Sequence, residues 1–91
     1  MARGQNISGE ELPPGFRRAA LNALVRTLSI APLDTYDLLM SMTLQGFGKP
    51  ATLEAIEDSL SAGLIERDAN PSREDWFILT PKGRNYRLSR R

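Results

Sequence analysis

Residues 81–91 carry five cations, Lys82, Arg84, Arg87, Arg90 and Arg91, and no acid. Side chains of this type at this density do one kind of chemistry well. They neutralise phosphates and release the counterions condensed on a nucleic acid, an attraction that weakens as salt rises. The other use of such a stretch is a solvated end that keeps the chain soluble. Arg67 and Arg73 add two cations in a polar stretch that also holds Glu66, Asp68, Glu74 and Asp75. Both arginines can reach phosphates, but four carboxylates around them make a poor minor-groove probe.

Upstream, "KPATLEAIEDSLSAG" (49–63) offers Lys49 and the Thr52 hydroxyl as donors, and Glu54, Glu57 and Asp58 as acids. Early carboxylates suit the positive end of a helix dipole, and one of them can accept from a cytosine amino group. All of them repel phosphates, and after Lys49 no Arg or Lys lies within the segment to offset them. Glu54, Glu57 and Asp58 therefore read as a solvated face, as base-reading carboxylates, or as a surface for a protein partner.

The chain contains neither cysteine nor histidine. Disulfides, thiolate metal sites, cysteine nucleophiles and imidazole acid–base catalysis are excluded together. The adjacent acids Glu57 and Asp58 diverge on a helix and have no basic or hydroxyl partner at a fixed spacing. No enzyme is expected, and no metal or cofactor.

Positioning these side chains falls to a chain of 91 residues, 41% apolar and 25% charged, a size and composition that suit one soluble domain. No apolar stretch of signal-peptide length opens it, and no run of about 18 apolar residues interrupts it, so the expected compartment is the cytosol. Residues 1–15, rich in Gly, Pro and polar types, read as a mobile N-terminal arm.

From Phe16 the apolar positions 16, 20, 23 or 24, 27 or 28, and 30 follow the 3.6 period of a helix over 16–29, with Arg17, Arg18, Asn22 and Arg26 outside the stripe. Asp34 is the expected N-cap of a second helix reaching Gln45, with Gly46 as its C-terminal glycine and Tyr36, Met40 and Met42 in its packing. A third helix spans 50–62. Leu53, Ile56 and Leu60 face inward on this reading, which turns Ala51, Glu54, Ala55, Asp58 and Ala62 outward. "LIER" and "WFILT" then form two short strands joined by an eight-residue loop, with Trp76 and Ile78 on one face and Phe77 and Leu79 on the other. "PKGRNYRLSRR" forms a short basic helix from Pro81 or stays loose.

Three helices followed by a two-stranded hairpin is the order of a winged helix-turn-helix. The wording "SLSAGLIERD…DWFILTPKGR" resembles MarR-type and PadR-type transcriptional regulators, through Gly63, Leu64, Ile65, Leu79, Thr80 and Gly83. Physically, Gly63 suits a left-handed helix end, Leu64 and Ile65 plug the core, and Thr80 can cap whatever starts at Pro81. The long dimerisation helices of those families have no counterpart in this sequence. In addition, Leu60 stands three residues before Gly63 where the families have an apolar residue four before, which implies a rotated or shortened end to the third helix.

The resemblance implies a mainly helical α+β fold: an arm (1–15), a winged helix-turn-helix domain (16–80) and a basic tail or short helix (81–91). It also implies a DNA-binding regulator, as a homodimer, with Lys49, Thr52, Arg67, Arg73, Lys82, Arg84 and Arg87 on double-stranded DNA. The alternative from a different class is a protein-interaction module that uses Glu54, Glu57 and Asp58.

Overall fold

The 3.6-residue stripe of the first helix turns Ala20, Ala23, Leu24, Thr27 and Leu28 into the interior. The computed structural model describes residues 14–73 and 75–89. They form α1 (Pro14–Leu28), β1 (Leu33–Asp34), α2 (Thr35–Leu44), α3 (Lys49–Ser61), β2 (Ile65–Arg67), β3 (Trp76–Leu79) and α4 (Pro81–Ser89), with a 3-10 turn at Pro71–Arg73. Four helices and an antiparallel sheet of order β1-β3-β2 make a mainly helical α+β fold. Among the described residues, no helix is long and apolar enough to cross a membrane.

α1 packs against α2, α3, α4 and β3, so it is the post on which the other elements are hung. Leu24, Val25, Leu28, Leu38, Met42, Ile56, Leu64, Ile65, Phe77 and Leu79 are buried around it. Each such side chain stabilises the fold by about 1.5–3 kcal/mol relative to exposure. Asp34 accepts from the Asp37 amide at 2.8 Å, the N-cap bond that starts α2. At the other end Gly46 has φ +95°, its amide bonds Thr43 O, and the Phe47 amide bonds Met42 O, so the last carbonyls of α2 are satisfied in a Schellman motif. Gln45 locks this end to α1: its Nε2 donates to Thr27 Oγ1 at 2.9 Å and its Oε1 accepts from Arg26 at 3.0 Å.

The same motif ends α3. Gly63 has φ +76°, its amide bonds Leu60 O, and the Leu64 amide bonds Ser59 O at 2.9 Å. Leu64 then enters the core and β2 begins. Thr80 reaches back across this junction, its hydroxyl within 2.6 Å of Gly63 O and 3.0 Å of Leu64 O, and its amide donates to Leu64 O. The same hydroxyl accepts from the Gly83 amide at 3.0 Å, which makes Thr80 the N-cap of α4. α4 comes so near that a Cβ at Gly83 would fall inside contact distance of Leu64 O and 2.8 Å from Leu79 Cδ1.

Several expectations need correction. Pro14 and Gly15, assigned to the arm, belong to α1; residues 1–13 lie outside those described. The sheet has three strands, not two, because Leu33 and Asp34 pair with Phe77 and Trp76. A two-residue strand is too short to show a period-2 pattern. Ile30 is exposed instead of closing the first stripe, since α1 ends at Leu28. Met42 is buried as expected, but Tyr36 and Met40 lie on the solvent side of α2. Residues 81–89 form a helix, held by the Thr80 cap and by Tyr86, whose hydroxyl donates to Asn22 Oδ1 of α1 at 2.5 Å.

Gly83→Ala is expected to destabilise the fold by about 2 kcal/mol or more, as overpacking does. Gly15→Ala, with nothing within 4 Å of its added Cβ, is expected to be neutral or stabilising by under about 1 kcal/mol. Urea-unfolding midpoints of the two variants check this, and equal midpoints would contradict the close approach at Gly83.

Candidate nucleic-acid interface

α3 is rotated from the face expected for it. Ala51, Thr52, Ala55, Ile56 and Ser59 are buried, at spacings of 1, 3 and 4 that define one side of a helix. Leu53 is 42% exposed, and Glu57 and Ser61 share its outward side. The leucine-based stripe holds for Ile56, which is buried, and for Leu60, which packs against the core, and fails at Leu53, because the rest of the inward side of α3 is built from small residues. Ala55 belongs to the same core cluster as Ala20 and Ala23 of α1, and Leu53 is left outside it. Thr52, expected at a DNA surface, is corrected: it is 0% exposed, and its hydroxyl donates to Phe47 O at 3.4 Å.

The rotation carries Glu54 and Asp58 to the flank of α3 that meets the start of α1. There, Arg17 Nη2 donates to Asp58 Oδ1 and Oδ2 at 3.0 and 2.9 Å and lies 2.9 Å from Glu54 Oε2. Arg17, which lies outside the apolar stripe of α1, is the link between two helices. Its hydrogen bond to Asp58, then the charges of Asp58 and Glu54, hold its guanidinium above the usual arginine value. The pairing is partly exposed, with 39% of the Arg17 side chain open to water, so salt screens it. Of the three acids on α3, Glu57 alone lacks a cation partner among the described residues.

The two arginines beside the β2–β3 loop are laid on aromatic rings. Arg67 sits 5.0 Å from the centre of the Phe77 ring, its cross-strand neighbour, and Arg73 sits 4.0 Å from that of Trp76. Arg73 is further tied to Asp68 at 3.7 Å. Asp68 and Asn70 side chains accept from the amides of Asn70 and Ser72, which shapes the loop before its 3-10 turn. Phe77 and Leu79 are buried and Trp76 and Ile78 half-buried, the alternation expected of β3.

α4 carries Lys82 and Arg84 exposed and Arg87 half-buried. A groove of about 540 Å³ between α1, the end of α3 and α4 brings Lys82 to the same rim as Arg18, over Leu21 and Leu64. A second, of about 380 Å³, gathers Arg84 and Arg87 beside Ser29 and Leu79. Arg18 and Lys82 are more than sixty residues apart in sequence, so only the fold brings them to one rim. Lys49 is exposed at the start of α3 and lines neither groove, and Arg90 and Arg91 lie outside the described residues.

No family model matches the chain, and no curated protein or solved structure is significantly similar to it.

The fork at Arg17 sets an order of effects. Asp58→Asn, which removes the two-oxygen acceptor, is expected to lower the melting temperature more than Glu54→Gln, and Glu57→Gln to leave it nearly unchanged. The differences should shrink in high salt. Thermal unfolding followed by circular dichroism checks the order, and a Glu57→Gln loss as large as that of Asp58→Asn would contradict it.

Proposed function

We propose that the chain is a winged helix-turn-helix protein that binds double-stranded DNA as a small transcriptional regulator, in the cytosol. One observation carries the reading. Lys49, Arg67, Lys82 and Arg84 are exposed with no carboxylate partner among the described residues, while Glu54 and Asp58 are occupied by Arg17. Charge that would repel phosphates is thus partly neutralised, and charge that attracts them stays available.

In this reading α2, the Gly46 turn and α3 are the helix-turn-helix unit, and β2 and β3 with their loop are the wing. Phosphate contact falls mainly to Lys82, Arg84 and Arg87 on α4, with Arg67 on the wing and Lys49 at the start of α3. Arg73 contributes less, because Asp68 and the Trp76 ring already hold it. The outward side of α3 presents Leu53, Glu57 and Ser61 and has no cation beyond Lys49, so base readout through α3 is sparse.

That same surface favours a second reading, a protein-interaction module that touches no DNA. Glu57 is the residue that separates the two, since Glu54 and Asp58 cannot be changed without breaking the Arg17 fork.

Fluorescence anisotropy with a random-sequence duplex, at low and at physiological salt, tests the proposal. Lys82→Ala with Arg84→Ala is expected to flatten the slope of log K against log salt by about 1.8, or about 0.9 per lost phosphate contact. Glu57→Lys is expected to raise low-salt affinity several-fold. Absence of binding by the unaltered protein at low salt would remove DNA from the account and leave the interaction module.

A further inference from the structure

α2 buries Leu38 and Met42 on one side and leaves three large apolar side chains on the other. Tyr36 is 68% exposed, Met40 49% and Leu44 85%. They stand at i, i+4 and i+8, a single ridge that runs the length of a ten-residue helix. Isolated exposed apolar residues are ordinary on a protein surface, but a continuous ridge of them is a mark of an interface. No Lys, Arg or Glu interrupts the ridge; the only charges on α2 and its cap are Asp37 and Asp34, both at the N-terminal end.

We propose that this ridge is a self-association surface, on which α2 packs antiparallel against α2 of a second copy of the chain. Ridges of i±4 spacing interdigitate with their like in the commonest class of helix packing. A two-fold axis beside Met40 sets Met40 against Met40 of the copy and Tyr36 against its Leu44. Charge selects the direction. Arg26 lies at the C-terminal end of α2, bonded to Gln45 Oε1, and neither it nor Asp37 has an ion-pair partner among the described residues. Antiparallel packing brings Asp37 of each copy towards Arg26 of the other, and it opposes the two helix dipoles. Parallel packing would set Asp37 against Asp37. The ridge covers less than the roughly 800 Å² per partner of a standard interface, so the dimer is weak and forms reversibly. It does not depend on DNA binding.

Sedimentation of the full chain without DNA, from micromolar to millimolar concentration, is the test. A reversible monomer–dimer equilibrium is expected, weakened at least tenfold by Met40→Glu. Asp37→Lys should weaken it as well, and adding Arg26→Glu should restore it, a reciprocal rescue that only an antiparallel pairing provides. Because the chain has no cysteine, Met40→Cys should cross-link to a covalent dimer on mild oxidation, while Ser61→Cys on α3 should not. A chain that stays monomeric at millimolar concentration overturns the proposal, as does a dimer indifferent to Met40→Glu. Circular dichroism of each variant separates loss of association from loss of fold.

Discussion

The backbone of Gly63 and Leu64 is where the molecule is fastened. The Schellman turn that ends α3 delivers Leu64 to the core, and the Leu64 carbonyl then accepts from the Thr80 amide while the Thr80 hydroxyl lies against Gly63 and Leu64 and caps α4. Four element ends meet there: the last turn of α3, the start of β2, the end of β3 and the first turn of α4. The absence of a side chain at Gly83 is what lets α4 come this close. Once that junction is set, Tyr86 reaches Asn22, Lys82 shares a groove with Arg18, and the cations after residue 80 are carried on a helix packed against α1.

A second constraint decides the electrostatics. Judged by its own sequence, α3 is an acidic helix, and an acidic helix is a poor partner for phosphates. Arg17 changes that balance by taking two of the three acids, while fastening the start of α1 to the middle of α3. One interaction thus fixes a helix pair and edits the charge of a surface. Its energetic worth is modest because water reaches it, so its main consequence is the pattern of charge left exposed.

Much of the fold was legible in the residues. Asp34, Gly46, Gly63 and Thr80 are punctuation whose meaning is local, and each acts at the position its chemistry suggests. β1 was not legible, because a two-residue strand exists only through its partner β3. The rotation of α3 was signalled only by Leu60 standing three residues before Gly63, and its extent was hidden for a related reason. Ala51, Ala55 and Ser59 make an inward face only because α1 offers alanines of its own, whereas Leu53 advertises burial and is left without a place. The candidate site was less legible still. Thr52 looked available and is buried, Arg17 looked free and is committed, and the proximity of Arg18 to Lys82 depends on the whole fold.

The described surface therefore has two characters. Exposed cations stand on α4, on the β2–β3 hairpin and at the start of α3, while the outer side of α2 is an apolar ridge almost free of charge. A DNA ligand and a second copy of the chain would choose differently between them. Amide chemical-shift mapping, with a short duplex titrated into the isotopically labelled protein, reads that choice directly. The account requires shifts at Lys49, Arg67, Lys82 and Arg84 that fade as salt is raised. Shifts confined to Tyr36–Leu44, or none at low salt, would contradict it.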